Sequence, residues 1–200
     1  MGGRMLRRRE FSRTAGTLLA LVLAATGAVT ATGTGASAAT TATGADASVA
    51  VRTVYYDASR AGEFRTNFDQ AATIWNSSVT NVRLAARTPG NITIYVDTGW
   101  PRAQTTSLGN GRVWMGTQAV DQGYDRTRIA THEIGHILGL PDNRTGLCTD
   151  LMSGSSAPVS CRNANPSAAE AARVNALFAG SLAAPTPTTH TWTPTLTPTP

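Results

Sequence analysis

One stretch limits what this chain can fold into more than any other: Thr131-His132-Glu133-Ile134-Gly135-His136-Ile137-Leu138-Gly139-Leu140-Pro141-Asp142. It reads H-E-x-x-H-x-x-G-x-x-D. Histidines four residues apart share one face of a helix, so both imidazoles reach one metal ion. Glu133, beside His132, points at a water on that ion without being a ligand. Three residues after His136, Gly139 tolerates positive φ and lets the helix stop. Pro141 blocks any continuation. The turn then returns Asp142 as a third protein ligand. Three protein ligands plus a water is the arrangement of a catalytic zinc site, which keeps one position open. The bland alternative is a chance match, or a His pair hydrogen-bonded in a core. Against it, two of the three histidines in the chain occupy this pattern, the aspartate follows at the required spacing, and a Met-containing turn, Asp150-Leu151-Met152-Ser153-Gly154, lies downstream.

His132, Glu133, His136, Gly139 and Asp142, followed by Met152, resemble the metzincin metallopeptidases, whose signature is H-E-x-x-H-x-x-G-x-x-H with a methionine turn. Asp142 stands where that signature has its last histidine. This variant, in a short exported chain, is similar to the snapalysin family of small neutral zinc proteases. The resemblance covers about residues 50–180 and is strongest over 124–161. It implies an α+β fold: a small twisted mixed sheet, a backing helix, an active-site helix and a C-terminal helix. It implies a secreted zinc endopeptidase with Glu133 as the general base and an aromatic residue favoured just after the cut. Met152 would pack beneath the histidines as an apolar base. An edge strand at 102–107 would pair with the peptide substrate. Asp125 and Thr127 would bind calcium; from the residues alone, either caps the active helix instead. Many metzincins carry a tyrosine two residues after the methionine, where this chain has Gly154. The group that steadies the oxyanion is therefore open, with Arg144 a candidate and a solvated loop arginine the competing reading.

Length and charge bound the rest. Two hundred residues suit one domain, with about 130 of them ordered, enough for one modest core and one cleft. Residues 1–38 read as a secretory signal: Arg4, Arg7, Arg8, Arg9 and Arg13 precede an apolar run at 15–29, and Ala36-Ser37-Ala38 is an A-x-A cleavage pattern. Arg8-Arg9-Glu10-Phe11 also resembles a twin-arginine signal. Residues 39–49 read as a short pro-segment or loose terminus, 50–181 as the metallopeptidase domain, and 182–200 as a disordered Pro/Thr-rich tail in which His190 is a linker residue. The formal charge of +5 misleads. From residue 39 onward there are 12 arginines against 11 acidic residues, a net of +1, so a nucleic-acid partner is excluded. The expected partners are peptide or protein substrates, with no membrane after signal removal and a monomeric state. Cys148 and Cys161 form the simplest possible disulfide for an exported chain. The loop it closes contains Met152 and contributes about 3 kcal/mol on the loop-entropy account.

Along the chain, residues 51–56 form a first strand, 62–78 a helix with Phe64, Phe68, Ala71, Ala72 and Trp75 on one face, 82–84 a short strand and 92–96 a strong one. Residues 102–107 form a polar edge strand, turning through Gly109-Asn110-Gly111 into Arg112–Met115. A polar loop from Asp121 to Asp125 leads into the active helix, about 126–138, anchored by Ile129, Ile134, Ile137 and Leu138. A last helix starts after Asn165-Pro166-Ser167, carries Ala171, Val174, Leu177 and Phe178 inward, and stops at Gly180. Two other functions compete with a protease. A non-peptidase zinc hydrolase or deaminase needs a closed pocket. An adhesion module with a structural metal has no use for the non-ligand carboxylate of Glu133.

Overall fold

The computed structural model describes residues 50–194; residues 1–49, with the expected signal and pro-segment, and 195–200 lie outside the described residues. The order is β1 (Arg52–Asp57), a 3-10 turn (Gly62–Phe64) leading directly into α1 (Arg65–Ser78), β2 (Val82–Ala86), β3 (Ile92–Asp97), β4 (Arg102–Ser107), β5 (Asn110–Gly116), α2 (Thr117–Asp121), α3 (Arg126–Ile137), a 3-10 stretch (Leu151–Ser156), α4 (Ala168–Phe178) and β6 (Thr188–Thr191). The six strands make one mixed sheet in the order β2-β1-β3-β5-β4-β6. β2, β1, β3 and β5 run parallel to one another; β4 is antiparallel to both β5 and β6. This is the α+β architecture expected, a mixed sheet backed by helices. None of the described helices is long and apolar enough to cross a membrane.

Strand alternation decides which face is covered. Val54, Ile92, Ile94, Val113 and Met115 point to the helix side and are almost fully buried. On the opposite face Tyr95 stacks on Trp114 with ring centroids 5.6 Å apart, and Arg102 lies over the indole. α1 packs against β2 and α3, while α3 packs against β4 and β5. Trp75, fully buried on α1, ties the two helices together by donating its indole N–H to the Thr131 carbonyl at 2.9 Å.

α3 is also fastened to the β4–β5 hairpin. Gly109 N donates to the Ile137 carbonyl at 2.8 Å, and the Thr105 hydroxyl donates to the His136 carbonyl at 3.2 Å. These bonds satisfy carbonyls at a helix end, where no intrahelical donor exists. They also set the distance between β4 and the histidine face of α3.

Two elements differ from expectation. The segment before Asp121 is a short helix, α2, which has no side-chain cap to announce it. The expected disordered tail contains β6, so β4 is not the sheet edge: its outer side pairs with Thr188–Thr191 in the register Arg102↔Thr191, Ala103↔His190. Three β-branched threonines in a row of four, with no proline among them, favour an extended chain. The polar backbone of β4 supplies the unpaired edge they need.

Below α3, the disulfide Cys148–Cys161 has its Cα atoms 5.6 Å apart and closes the loop around Met152. Arg128, buried, spreads its guanidinium over the carbonyls of Cys148, Asn163 and Asp150 and so holds this loop to α3. From the other side, Ser167 and Glu170 form a capping box at the start of α4, and Glu170 does more than cap. Its carboxylate accepts from Met152 N at 2.7 Å and Leu151 N at 3.2 Å. One side chain thus fixes a helix start and the backbone under the active helix. Glu170→Ala leaves two buried N–H donors and the cap unpartnered, and should lower unfolding free energy by about 2–4 kcal/mol in urea titration. Glu170→Gln, which keeps an acceptor, should recover part of that loss; an alanine variant as stable as the parent would contradict the assignment.

Candidate active site

α3 begins where Asp125 accepts from Arg128 N at 2.8 Å, an N-cap. The structure thus shows the cap at Asp125 and gives no support to calcium there; the Thr127 hydroxyl is bonded to Asn67 and Gln70, both at 2.9 Å. Neither residue joins a cluster of three potential ligands among the described residues; one such cluster is present, His132, His136 and Asp142. Every residue from Arg128 to Ile137 is buried, so His132 and His136 sit on a helix with no solvated face there.

The helix ends in a Schellman turn. Gly139 N donates to the His136 carbonyl and Leu140 N to the Gly135 carbonyl, both at 3.0 Å, with Gly139 at φ +97°. A side chain there would be strained and would meet Leu177. The turn reverses the chain and carries Asp142 back over the histidines. Asp142 Oδ1 lies 3.4 Å from His132 Nε2 and 3.6 Å from His136 Nε2, and the two Nε2 atoms are 3.0 Å apart.

The tautomers follow from the partners. His132 Nδ1 donates to the Leu151 carbonyl at 3.0 Å, and His136 Nδ1 to the Leu140 carbonyl at 2.8 Å. With its proton on Nδ1, each ring can turn an Nε2 lone pair toward the other. Burial, and next the neighbouring His132 and His190, push the His136 pKa well below its ordinary value, so that ring stays neutral. Burial alone would raise the Asp142 carboxyl; the adjoining His132, His190 and His136 rings outweigh it and hold Asp142 well below the usual carboxylate range. With both Nδ1 protons directed away, three electron-pair donors converge, an arrangement that a cation among them would satisfy. Ligand atoms around a tetrahedral zinc with bonds of about 2.1 Å lie about 3.4 Å apart, close to the separations here. Glu133 is fully buried and neither carboxylate oxygen has a partner among the described residues. Burial, then the charge of Asp142, raises its pKa well above normal. The residues fit a zinc ion with one polar group left over to work beside it.

The floor is apolar. Met152 is 1 % exposed, and a methyl group placed on Gly135 would lie 2.8 Å from its sulfur, so thioether and active helix are in close contact. Two residues on, Gly154 has φ +56°, and a Cβ there would sit 3.0 Å from His132 Cε1. The position that carries tyrosine in many metzincins therefore has no room here for a side chain. Arg144 occupies the vicinity from another loop, 3.6 Å from Asp142 Oδ2 and 2.9 Å from the Ser155 hydroxyl. It remains exposed, as the solvated-arginine reading has it, but is bonded to its neighbours.

Two residues that the sequence reading set aside or passed over enter the site. His190 lies flat against His136, with centroids 4.0 Å apart, and its Nδ1 is 3.9 Å from Asp142 Oδ2. Trp192, fully buried, meets His132 edge-on at 4.7 Å. The run Thr188-Thr189-His190-Thr191-Trp192 is β-branched and aromatic, and that was the available signal. Gly154→Ala should cost about 1–2 kcal/mol of stability and, by displacing His132, weaken zinc binding about 10–100-fold in chelator competition. Gly146→Ala, with similarly positive φ but no neighbour closer than 3.8 Å, should lower stability alone.

Known sequences resemble this chain over the described domain. An extracellular small neutral protease of Streptomyces caespitosus is 46% identical over 128 residues, 63% of this chain and 96% of the relative. Proteins of the same name from Streptomyces sp. (strain C5) and Streptomyces lividans are 45% and 43% identical over 134 and 129 residues, 66% and 63% of this chain. The aligned part spans 58% and 56% of those two relatives, little more than half their length. The profile of the Streptomyces extracellular neutral proteinase (M7) family matches residues 50–181, most of the chain, including α3, the Gly139 turn and the loop around Met152, and the chain belongs to that family.

Proposed function

We propose that this chain is a secreted zinc-dependent endopeptidase that hydrolyses peptide bonds in extracellular proteins, acting as a monomer. The observation that carries the reading is the buried, unpartnered carboxylate of Glu133 beside three converging donors. A structural metal site would leave that carboxylate without a use. The relatives' names, extracellular small neutral protease, support both the reaction and the destination. The signal expected at residues 1–38 supports export.

His132, His136 and Asp142 would hold zinc, and the Leu151 and Leu140 carbonyls keep the two rings turned so that Nε2 faces the ion. When bound, zinc supplies Lewis-acid activation of water and of the scissile carbonyl. Glu133 takes a proton from the attacking water and delivers it to the departing amine as the C–N bond breaks. Burial, and next the charge of Asp142, raises its affinity for that proton. β4 holds the substrate extended through main-chain bonds, reading few side chains. The apolar space beside His132, lined by Tyr124 and filled by an indole, supports a preference for an aromatic residue after the cut. Arg144 is positioned to steady carbonyl oxygens of the bound strand, the role left open by Gly154.

Glu133→Gln should keep zinc at the parent's stoichiometry while casein hydrolysis falls about 10²–10⁴-fold. His132→Ala and Asp142→Asn should lose the metal itself. A chelator should abolish hydrolysis by the parent, and added zinc should restore it. Full activity in a zinc-loaded Glu133→Gln variant would rule this mechanism out.

A further inference from the structure

We propose that the tail around β6 is a tethered occupant of the peptide cleft, which excludes external substrate until it is displaced. The inference rests on the peptidase reading of the cleft. It concerns a segment outside the family match, which ends at residue 181.

The tail lies as an incoming peptide would. β6 runs antiparallel to β4 along the side expected to receive substrate. Beyond it, Trp192 N donates to the Pro101 carbonyl at 2.8 Å, extending the pairing by one step. Successive strand residues face opposite ways, so His190 and Trp192 share a face. That face is turned to the three donors: His190 covers His136 and approaches Asp142, and Trp192 packs on His132 and on Tyr124. Between them the Thr191 carbonyl accepts from Arg144 at 3.3 Å. The Thr193 carbonyl accepts from Arg144 at 3.0 Å and from the Ser155 hydroxyl. The indole is 1 % exposed, so no second aromatic side chain can enter while it is seated. Upstream, Pro185, Thr186 and Thr188 wall the cleft that continues past His136 and Leu140.

The composition suits a strap. Pro185, Pro187 and Pro194 keep the segment extended before it binds, which lowers the entropy lost on seating. The seat is also incomplete, because the buried indole N–H has no acceptor among the described residues. An unpartnered buried donor weakens binding. A substrate aromatic without that N–H gains by taking the pocket.

The test uses the exported, zinc-loaded chain and a short fluorogenic peptide with phenylalanine after the cut. Trp192→Ala should raise kcat/KM at least about tenfold, through KM with kcat little changed, as expected when an intramolecular competitor is removed. Because Trp192 is part of the core, a second form guards against misfolding. A specific protease site is inserted between Leu182 and Ala183, and the folded protein is cut there and dialysed. The cut form should show the same gain, and a synthetic peptide of residues 185–194 should reverse it in trans. If both forms fold and stay within twofold of the parent, the tail is no inhibitor. Fluorescence anisotropy on a Glu133→Gln background separates this outcome from failure of the peptidase reading. There, the cut form should bind the peptide more tightly than the uncut one whether or not any form cleaves. Equal binding by both would also overturn the proposal.

Discussion

Two imidazole nitrogens 3.0 Å apart and a carboxylate oxygen within 3.6 Å of both form a cluster that cannot be comfortable alone. Their lone pairs face inward at a site screened from water on most sides, where like charges and dipoles interact strongly. Each is nevertheless prevented from turning away. The Leu151 and Leu140 carbonyls hold the ring protons on the far side, and the Gly139 turn delivers Asp142 to the near side. The surrounding structure reads as the apparatus that enforces this convergence. Trp75 locks α3 to α1, Arg128 and the disulfide hold the lower loop to α3, and Glu170 anchors the backbone of Leu151, whose carbonyl orients His132. Rigid support of this kind is what a metal site requires if its ligands are to stay within tenths of an ångström of working geometry.

Parts of this arrangement could be read from the sequence because they are local. An i, i+4 His pair shares a face in any helix, and a glycine three residues later followed by proline can only end it. The strands at 92–96 and 102–107 follow from alternation over a few positions, and side-chain chemistry offered Asn165 or Ser167 as the cap of the last helix, of which the structure uses Ser167. What escaped was long-range. Nothing near Glu170 in sequence says that its carboxylate will reach Met152 N, although a glutamate three residues after a capping serine was visible as half of a capping box. Nothing near Arg128 announces three carbonyls from a loop about twenty or more residues downstream. His190 was misread because its neighbours are prolines and threonines, a composition that usually marks a linker. Within it, the alternation of threonine with histidine and tryptophan over 188–192 carried the strand signal.

Gly154 illustrates a different limit. Its identity is plain in the sequence, but its meaning depends on a backbone at φ +56° and on His132 3.0 Å from where a Cβ would be. Absence of the tyrosine found at this place in many metzincins looks like a missing function when read from a pattern. In three dimensions it is a steric consequence of bringing the turn close to the imidazole. Arg144, from a neighbouring loop, directs its guanidinium at the same region and is held there by Ser155 and Asp142. Functional groups can move between loops in this way because the requirement is a donor at a point in space, whichever segment supplies it.

The pairing of β4 with β6 follows from the same economy of polar groups. A strand that must receive extended peptides has to keep a row of N–H and C=O groups free, and such an edge recruits any suitable chain nearby. The tail is covalently attached, so its effective concentration at the edge is of millimolar order. A segment whose free peptide bound with a Kd near a millimolar would occupy the cleft about half the time, and tighter binding would close it almost completely. The strap therefore needs only modest intrinsic affinity. The unsatisfied indole N–H of Trp192 is consistent with a seat that stops short of permanence. By the same arithmetic, a substrate of micromolar Kd displaces a millimolar strap at about micromolar concentration, and needs about a millimolar only against a strap that binds as tightly as itself. In that regime a few hydrogen bonds from Arg144 and one aromatic side chain decide whether the donors beneath see this chain's own backbone or another's.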